Sequence, residues 1–189
     1  MDGSLKPALP LVTERLHLRA FEATDLDALY AFERREDVAR FLYTEPLTRD
    51  EVRVSLERRM QMTGFDATSD ALRLAVVLRK TGELIGDASL KRTSREHLQG
   101  EIGYAFNPEH HGHGYATEAV QVMLRVGFEE AGLHRIVGRL EPRNVASARV
   151  LERLGMRREA HLIENEFIKG EWQSELIYAM LATEWMARR

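Results

Sequence analysis

The chain has no cysteine. Disulfides, zinc–thiolate centres and a thiol nucleophile are therefore excluded outright. It also lacks long apolar runs. No stretch approaches the roughly 20 residues of a membrane-spanning helix, and residues 1–10 hold one lysine and two prolines with nothing that reads as a signal peptide. A cytoplasmic protein with no membrane partner is expected. No sign of charge dominates: 27 Lys and Arg stand against 30 Asp and Glu, for a net charge of −3 and a pI near 6.2. Without a basic field, no nucleic-acid partner is expected, and the balance favours, weakly, a cationic amine. Low-complexity tracts, internal repeats and linkers are absent too. What is present is 189 residues with a 44% hydrophobic fraction, enough for one domain with a proper core. The division expected is an arm over residues 1–12 and a single domain over 13–185.

The periodicity is mixed. Arg15 to Arg19 alternates as a half-buried strand. Thr24 or Asp25 caps a helix with Leu26, Leu29, Tyr30 and Phe32 on its apolar face. Thr48 with Glu51 forms a capping-box pattern for a helix running to Thr63 and stopping at Gly64. From Leu72 the period drops to two, returns from Leu84 to Leu90, and comes again from Gly100 to Phe106, so three short-turned strands make an antiparallel meander. The third strand sets Ile102, Tyr104 and Phe106 on one face, and Glu101 beside Gly103 and Ala105 on the other. A helix is expected from Thr117 to Ala131, ended by Gly132, then a strand over 135–140. Asn144 caps a helix ending at Gly155, and residues 159–168 and 172–182 form a closing hairpin about Lys169-Gly170.

Chemistry concentrates in His111-Gly112-His113-Gly114-Tyr115-Ala116-Thr117. Two glycines let the backbone turn tightly and an anion approach its amides. A helix starting at Tyr115–Thr117 aims unsatisfied N–H groups and a positive dipole end at that anion. Together these describe a diphosphate site. A dinucleotide fold uses such a turn after the first strand of a parallel unit, whereas here an antiparallel meander precedes it. His110, His111 and His113 have no carboxylate at ligand spacing besides Glu109, so no metal is expected, and the histidines lend polarity beside a phosphate.

The run from Phe106 to Ala119 resembles the cofactor motif of the GCN5-related N-acetyltransferase (GNAT) superfamily. More narrowly, it is similar to the branch containing the ribosomal-protein N-terminal acetyltransferases, the RimJ/RimL type. Supporting pieces are Thr13 to Arg19, Leu84-Ile85-Gly86, Glu101-Ile102-Gly103-Tyr104, and Asn144-Val145-Ala146-Ser147 leading into Val150 to Met156. The resemblance spans residues 13–183 and departs at Glu109, where the superfamily usually has Gln or Arg. A carboxylate cannot donate to a phosphate, so Glu109 is given no cofactor role. The resemblance implies an α/β (α+β) GNAT fold, with a mixed, mostly antiparallel sheet of about seven strands flanked by about four helices. It also implies acetyl-CoA as co-substrate and an amine acceptor, a peptide N-terminus or a small molecule, with the protein a monomer or homodimer.

Cofactor contacts implied by the resemblance are the backbone of Tyr104, Ala105 and Phe106, the turn residues His111, Gly112, His113, Gly114, Tyr115, Ala116 and Thr117, then Asn144, Ser147 and Arg149. Arg153 reads equally as part of a solvated basic face. Acetyl transfer needs a neutral amine, and the ordinary pKa is about 8 for an α-amine and about 10.4 for lysine. It also needs donors for a tetrahedral oxyanion and a proton for the departing sulfur. Glu101 and Glu166 are the candidate bases and Ser147 the candidate acid. Direct attack in a ternary complex fits a chain without cysteine. Glu118 is explained by its place in a first helical turn. Phe41, Tyr43, Phe65 and Trp172 are candidate walls of an acceptor pocket, made acidic by Glu164, Glu166 and Glu171. Two other readings stay open: an acetyltransferase detoxifying antibiotics or polyamines, and a non-catalytic acetyl-CoA sensor.

Overall fold

A computed structural model describes residues 4–67 and 69–188. Strands β1 (Leu11–Val12) and β2 (Leu16–Arg19) are followed by a 3-10 turn at Ala23–Asp25 and helices α1 (Leu26–Glu33), α2 (Glu36–Ala39) and α3 (Arg49–Met60). Next come strands β3 (Thr63–Phe65), β4 (Asp70–Leu78), β5 (Leu84–Ser94) and β6 (Gln99–Phe106). Helix α4 (Tyr115–Arg125) loosens into a π-turn over Val126–Glu130. The chain continues through β7 (Arg135–Leu140), α5 (Val145–Arg153), β8 (Arg157–Ile168), β9 (Glu171–Leu181) and α6 (Ala182–Met186). The sheet runs β1-β2-β4-β5-β6-β7-β9-β8, with β3 beside β4. Every pairing is antiparallel except β6 with β7. None of the helices is long and apolar enough among the described residues to cross a membrane.

Two cores sandwich this sheet. Leu74 and Val76 of β4 lie in one with Ile85, Ile102, Val120, Met123 and Leu151, which seats α4 and α5. The intervening Ala75 and Val77 lie in the other with Leu29 and Phe32 of α1 and Val52 and Leu56 of α3. Full burial of a side chain such as Leu29 or Phe32 contributes roughly 1.5–3 kcal/mol. Alternation in β4 therefore separates two helical layers rather than core from water.

Several boundaries differ from the sequence reading. The helix expected to reach Thr63 ends at Met60, and Thr63 and Gly64 form β3 instead. Gly64 is not a helix stop: a β-carbon there would fall 2.0 Å from the carbonyl oxygen of Leu5. Leu5 pairs with Phe65, and both Leu5 and Leu11 belong to the core, so residues expected as an arm pack on the domain from Leu5 onward. The fourth helix starts at Tyr115 rather than Thr117 and changes pitch at Val126, where Ala131 N–H reaches back to the Val126 carbonyl. Nine strands and six α-helices are present among the described residues, against about seven and four expected. The surplus is short elements such as β1, β3, α2 and α6.

Candidate active site

β6 and β7 pair in parallel from Gln99↔Arg135 to Ile102↔Gly138 and then part. β6 continues along β5 as far as Gly86↔Phe106, and β7 along β9 as far as Leu140↔Leu176. The edge of β6 over residues 103–106 therefore faces a gap instead of a neighbouring strand. Unpaired strand edges offer backbone donors and acceptors to an amide-bearing ligand.

Beyond the gap lies the glycine turn. Gly112 has φ +81 and Gly114 φ +79, a region closed to most side chains. Gly114 is the N-cap of the 11-residue helix α4 and contributes no side chain to cap it. The first N–H groups of α4 are thus left for an anion. In that turn the Thr117 hydroxyl is buried without a hydrogen-bond partner. These features fit a diphosphate.

The turn is held from below by Glu118. Its carboxylate accepts from the Thr13 hydroxyl at 2.5 Å, from Arg15 N–H at 3.1 Å, and pairs with the Arg15 guanidinium at 2.6 Å. Arg15 in turn donates to the His113 carbonyl at 2.9 Å and lies over the Tyr115 ring. Burial alone would push the Glu118 carboxyl up, but these donors together hold it below its ordinary value. The histidines are tied internally. His111 Nε2 meets the Phe106 carbonyl at 3.1 Å, His113 stacks on Tyr115, and His110 meets Glu83 at 3.0 Å. Among the described residues no three His, Cys, Asp or Glu side chains are grouped to hold a metal. Glu109 pairs with Arg35 at 3.4 Å.

On the far side of the gap Asn144 caps α5, accepting from Ser147 N–H at 3.1 Å. Ser147 also meets Tyr104: the two hydroxyls are 2.8 Å apart, and the Tyr104 hydroxyl donates to the Ser147 carbonyl at 3.0 Å. Burial, the dominant cause, pushes the Tyr104 phenol up to about 12. Arg149 is exposed on α5. Arg153, one turn on, lines an open groove with Gly114, Thr117, Gln121, Arg125 and Arg188, and Arg149 does not.

The opposite face of the sheet carries a cleft of about 100 Å³ at the fork. Glu101 enters from β6, Arg139 and Leu140 from β7, Glu166 and Ile168 from β8, and Glu175 from β9. Arg139 pairs with Glu175 at 2.7 Å and with Glu101 at 3.5 Å. Tyr43 extends its hydroxyl to Glu166 and, through lost hydration first and that carboxylate second, is pushed up to about 12. Glu141 lines the cleft as well but is paired to Arg143 at 2.8 Å. The structure thus brings Glu101 and Glu166 to one cleft. Phe41 and Tyr43 line it too, whereas Phe65 is fully buried in the core and Trp172 packs edge-on against Phe167 outside the lining. Glu171 pairs with Arg143 instead of facing the cleft. Arg139 and Glu175 were missed by sequence reasoning. Arg139 lies between Gly138 and Leu140, and Glu175 closes a polar run behind Gln173 and Ser174, so each reads as an ordinary polar strand position.

Residues 15–157 match the sequence profile of the GNAT acetyltransferase domain. The chain belongs to the GNAT family. It is an acetyl-CoA-dependent N-acetyltransferase by that membership. This GNAT chain is 33% identical over 175 residues to YnaD of Bacillus subtilis, an N-acetyltransferase by name, covering 93% of this chain and 98% of the relative. It is 32% identical, with a TM-score of 0.82, to the crystal structure of a GNAT-family acetyltransferase from Bacillus anthracis, across 92% of this chain and 99% of that one. The spermidine N(1)-acetyltransferase of Vibrio cholerae is 25% identical over 177 residues, 94% of this chain and 99% of its own.

Proposed function

We propose that the chain transfers the acetyl group of acetyl-CoA directly to a primary amine held in the Glu101–Glu166 cleft, the amine belonging to a peptide N-terminus or a small cationic molecule. One observation carries this reading: the acidic cleft is lined from both β6 and β7 at the point where they part. In this reading the donor's diphosphate rests on the amides of Gly112 to Thr117, with His111 and His113 beside it. Its pantetheine arm follows the free edge at Tyr104, Ala105 and Phe106 toward Asn144 and Ser147. Arg149 and Arg153 supply positive charge further out. The bound donor contributes an electrophilic thioester carbonyl and a thiol leaving group.

The chain's own groups then divide the proton work. The acceptor loses a proton to Glu166 or Glu101, directly or through water. N–H groups of the open β6 edge stabilise the oxyanion. Ser147 gives a proton to the sulfur; an acceptor that arrives as an ammonium has first lost one proton to water to become the neutral nucleophile, so the net reaction releases one proton. Carboxylates outnumber guanidinium groups in the cleft, which favours an acceptor arriving as a cation. A polyamine acceptor is the second reading, supported by the same carboxylates and by the likeness to a spermidine N(1)-acetyltransferase.

Release of coenzyme A thiol against a panel of peptide N-termini, polyamines and aminoglycosides tests the proposal. With no cysteine in the chain, a thiol-reactive dye reports only the product. Turnover with an amine is expected; donor binding without turnover on any amine would instead favour a sensor.

A further inference from the structure

We propose that Tyr104 is a positioning residue that aims the Ser147 hydroxyl at the departing sulfur, an inference that rests on the acetyl-transfer reading above. The phenol has one proton and two acceptors within reach, the Ser147 hydroxyl oxygen at 2.8 Å and the Ser147 carbonyl at 3.0 Å. When Tyr104 donates to the carbonyl, the short contact between the hydroxyls has to be made by the serine's own proton. Ser147 then has no proton to offer a ligand. When Tyr104 donates to the hydroxyl oxygen, the serine proton is turned outward. The tyrosine therefore decides which way Ser147 points.

Ser147 has no competing guide. Serines inside a helix commonly donate back to a carbonyl one turn earlier. Ser147 is the third residue of α5, so the positions one turn earlier, Arg143 and Asn144, lie outside the helix. Asn144 is engaged with the Ser147 backbone N–H and not with its hydroxyl. Among the described residues only Tyr104 contacts that hydroxyl. Tyr104 sits on the β6 face opposite Glu101, Gly103 and Ala105, so the acid side of the reaction is separated by the sheet from the carboxylate side. Burial keeps the phenol protonated throughout the neutral range.

The balance of the step is simple. The N–C bond forms as the C–S bond breaks, and the proton of the attacking neutral amine passes to a cleft carboxylate and from there to water. The serine proton passes to sulfur, Tyr104 refills the serine, and water refills Tyr104.

The test compares wild type, Tyr104→Phe, Ser147→Ala and the double variant by thiol release with an accepted amine and by calorimetric titration of acetyl-CoA. Tyr104→Phe is expected to lower kcat on the order of ten-fold, a fraction of a full acid–base contribution, with acetyl-CoA affinity within about two-fold. In the Ser147→Ala background the same change is expected to do nothing further. Wild-type kcat in Tyr104→Phe, or losses that multiply in the double variant, overturns the inference while leaving the acetyltransferase reading intact. Absence of wild-type turnover with every amine overturns both. Should the phenylalanine variant not fold, fluorotyrosine at position 104 retains the hydrogen bond and acidifies the phenol. With enough ring fluorines to bring the phenol into the assayed range, kcat should fall at alkaline pH where wild type does not, and an unchanged profile overturns the inference.

Discussion

Arg15 and Glu118, 103 residues apart in sequence, form an ion pair of 2.6 Å that ties the start of β2 to the first turn of α4. Through the Arg15 donation to the His113 carbonyl, the pair also fixes the glycine turn. Its effect belongs to the shape of the anion site more than to global stability, because Arg15 is partly exposed and screened.

Glu118→Gln should therefore weaken acetyl-CoA binding about five-fold, equivalent to roughly 1 kcal/mol, with a smaller change in melting temperature. The Glu118 carboxyl is held below its ordinary value of about 4.5. A lowered folded value means that its contribution is present above the unfolded value and is lost as pH falls through the folded one. Titration calorimetry from neutral pH downward should show the wild-type advantage over the glutamine variant persisting through pH 5. An advantage that vanishes at or above pH 5 would count against the clamp.

Gly114 tests the anion site itself. Its φ of +79 strains any β-carbon, so Gly114→Ala should cost about 1–2 kcal/mol of stability. Gly114→Glu adds a negative charge where the diphosphate is proposed to sit, and should weaken acetyl-CoA binding far more than alanine does. Equal dissociation constants for the two variants would show that the turn does not meet the phosphates.

The cleft carboxylates make separable predictions. Glu101 is already engaged by Arg139, whereas Glu166 has the neutral Tyr43 hydroxyl as its neighbour. Glu166 is thus the freer proton acceptor. Glu166→Gln should lower kcat for the amine by about 100-fold, within the range for a general base. Glu101→Gln should act mainly on the amine KM. Separate determination of kcat and of the amine KM for each variant distinguishes them; the reverse pattern would exchange the two roles.

Local signals in this chain were readable wherever cause and effect lie within one turn. The Thr48–Glu51 capping box forms, with Thr48 N–H donating to Glu51 at 2.8 Å, and β7 spans the six residues expected as a strand. Gly64 misled because a glycine after a helical pattern looks like a stop, while its actual cause is the Leu5 carbonyl some sixty positions away. The glycine turn and Asn144 were legible as helix starts. The contact of Tyr104 with Ser147 and the place of Arg139 between Glu101 and Glu175 were not, since the sheet order that creates them has no local signature.

A last prediction concerns a buried pair behind the acceptor face. Arg59 of α3 and Glu33 of α1 meet at 2.6 Å with side chains only 6% and 7% exposed. Burial pushes the Glu33 carboxyl up, and the neighbouring Arg59 only partly offsets this. Arg59→Leu removes that offset and strands a buried carboxylate, so it should cost about 3–5 kcal/mol at pH 7. A raised folded value works in the opposite sense to Glu118: its stabilising contribution is complete below the unfolded value and is lost as pH rises through the folded one. The deficit of Arg59→Leu relative to wild type should accordingly shrink as pH is lowered from 7 to 5, where Glu33 can accept a proton. Replacing both partners by leucine removes the desolvation of both charges and should return stability to within about 1 kcal/mol of wild type or above it. Thermal melts of the three proteins at the two pH values decide the matter. A double variant as unstable as the single one would mean that the pair, and not the space it fills, holds α1 to α3.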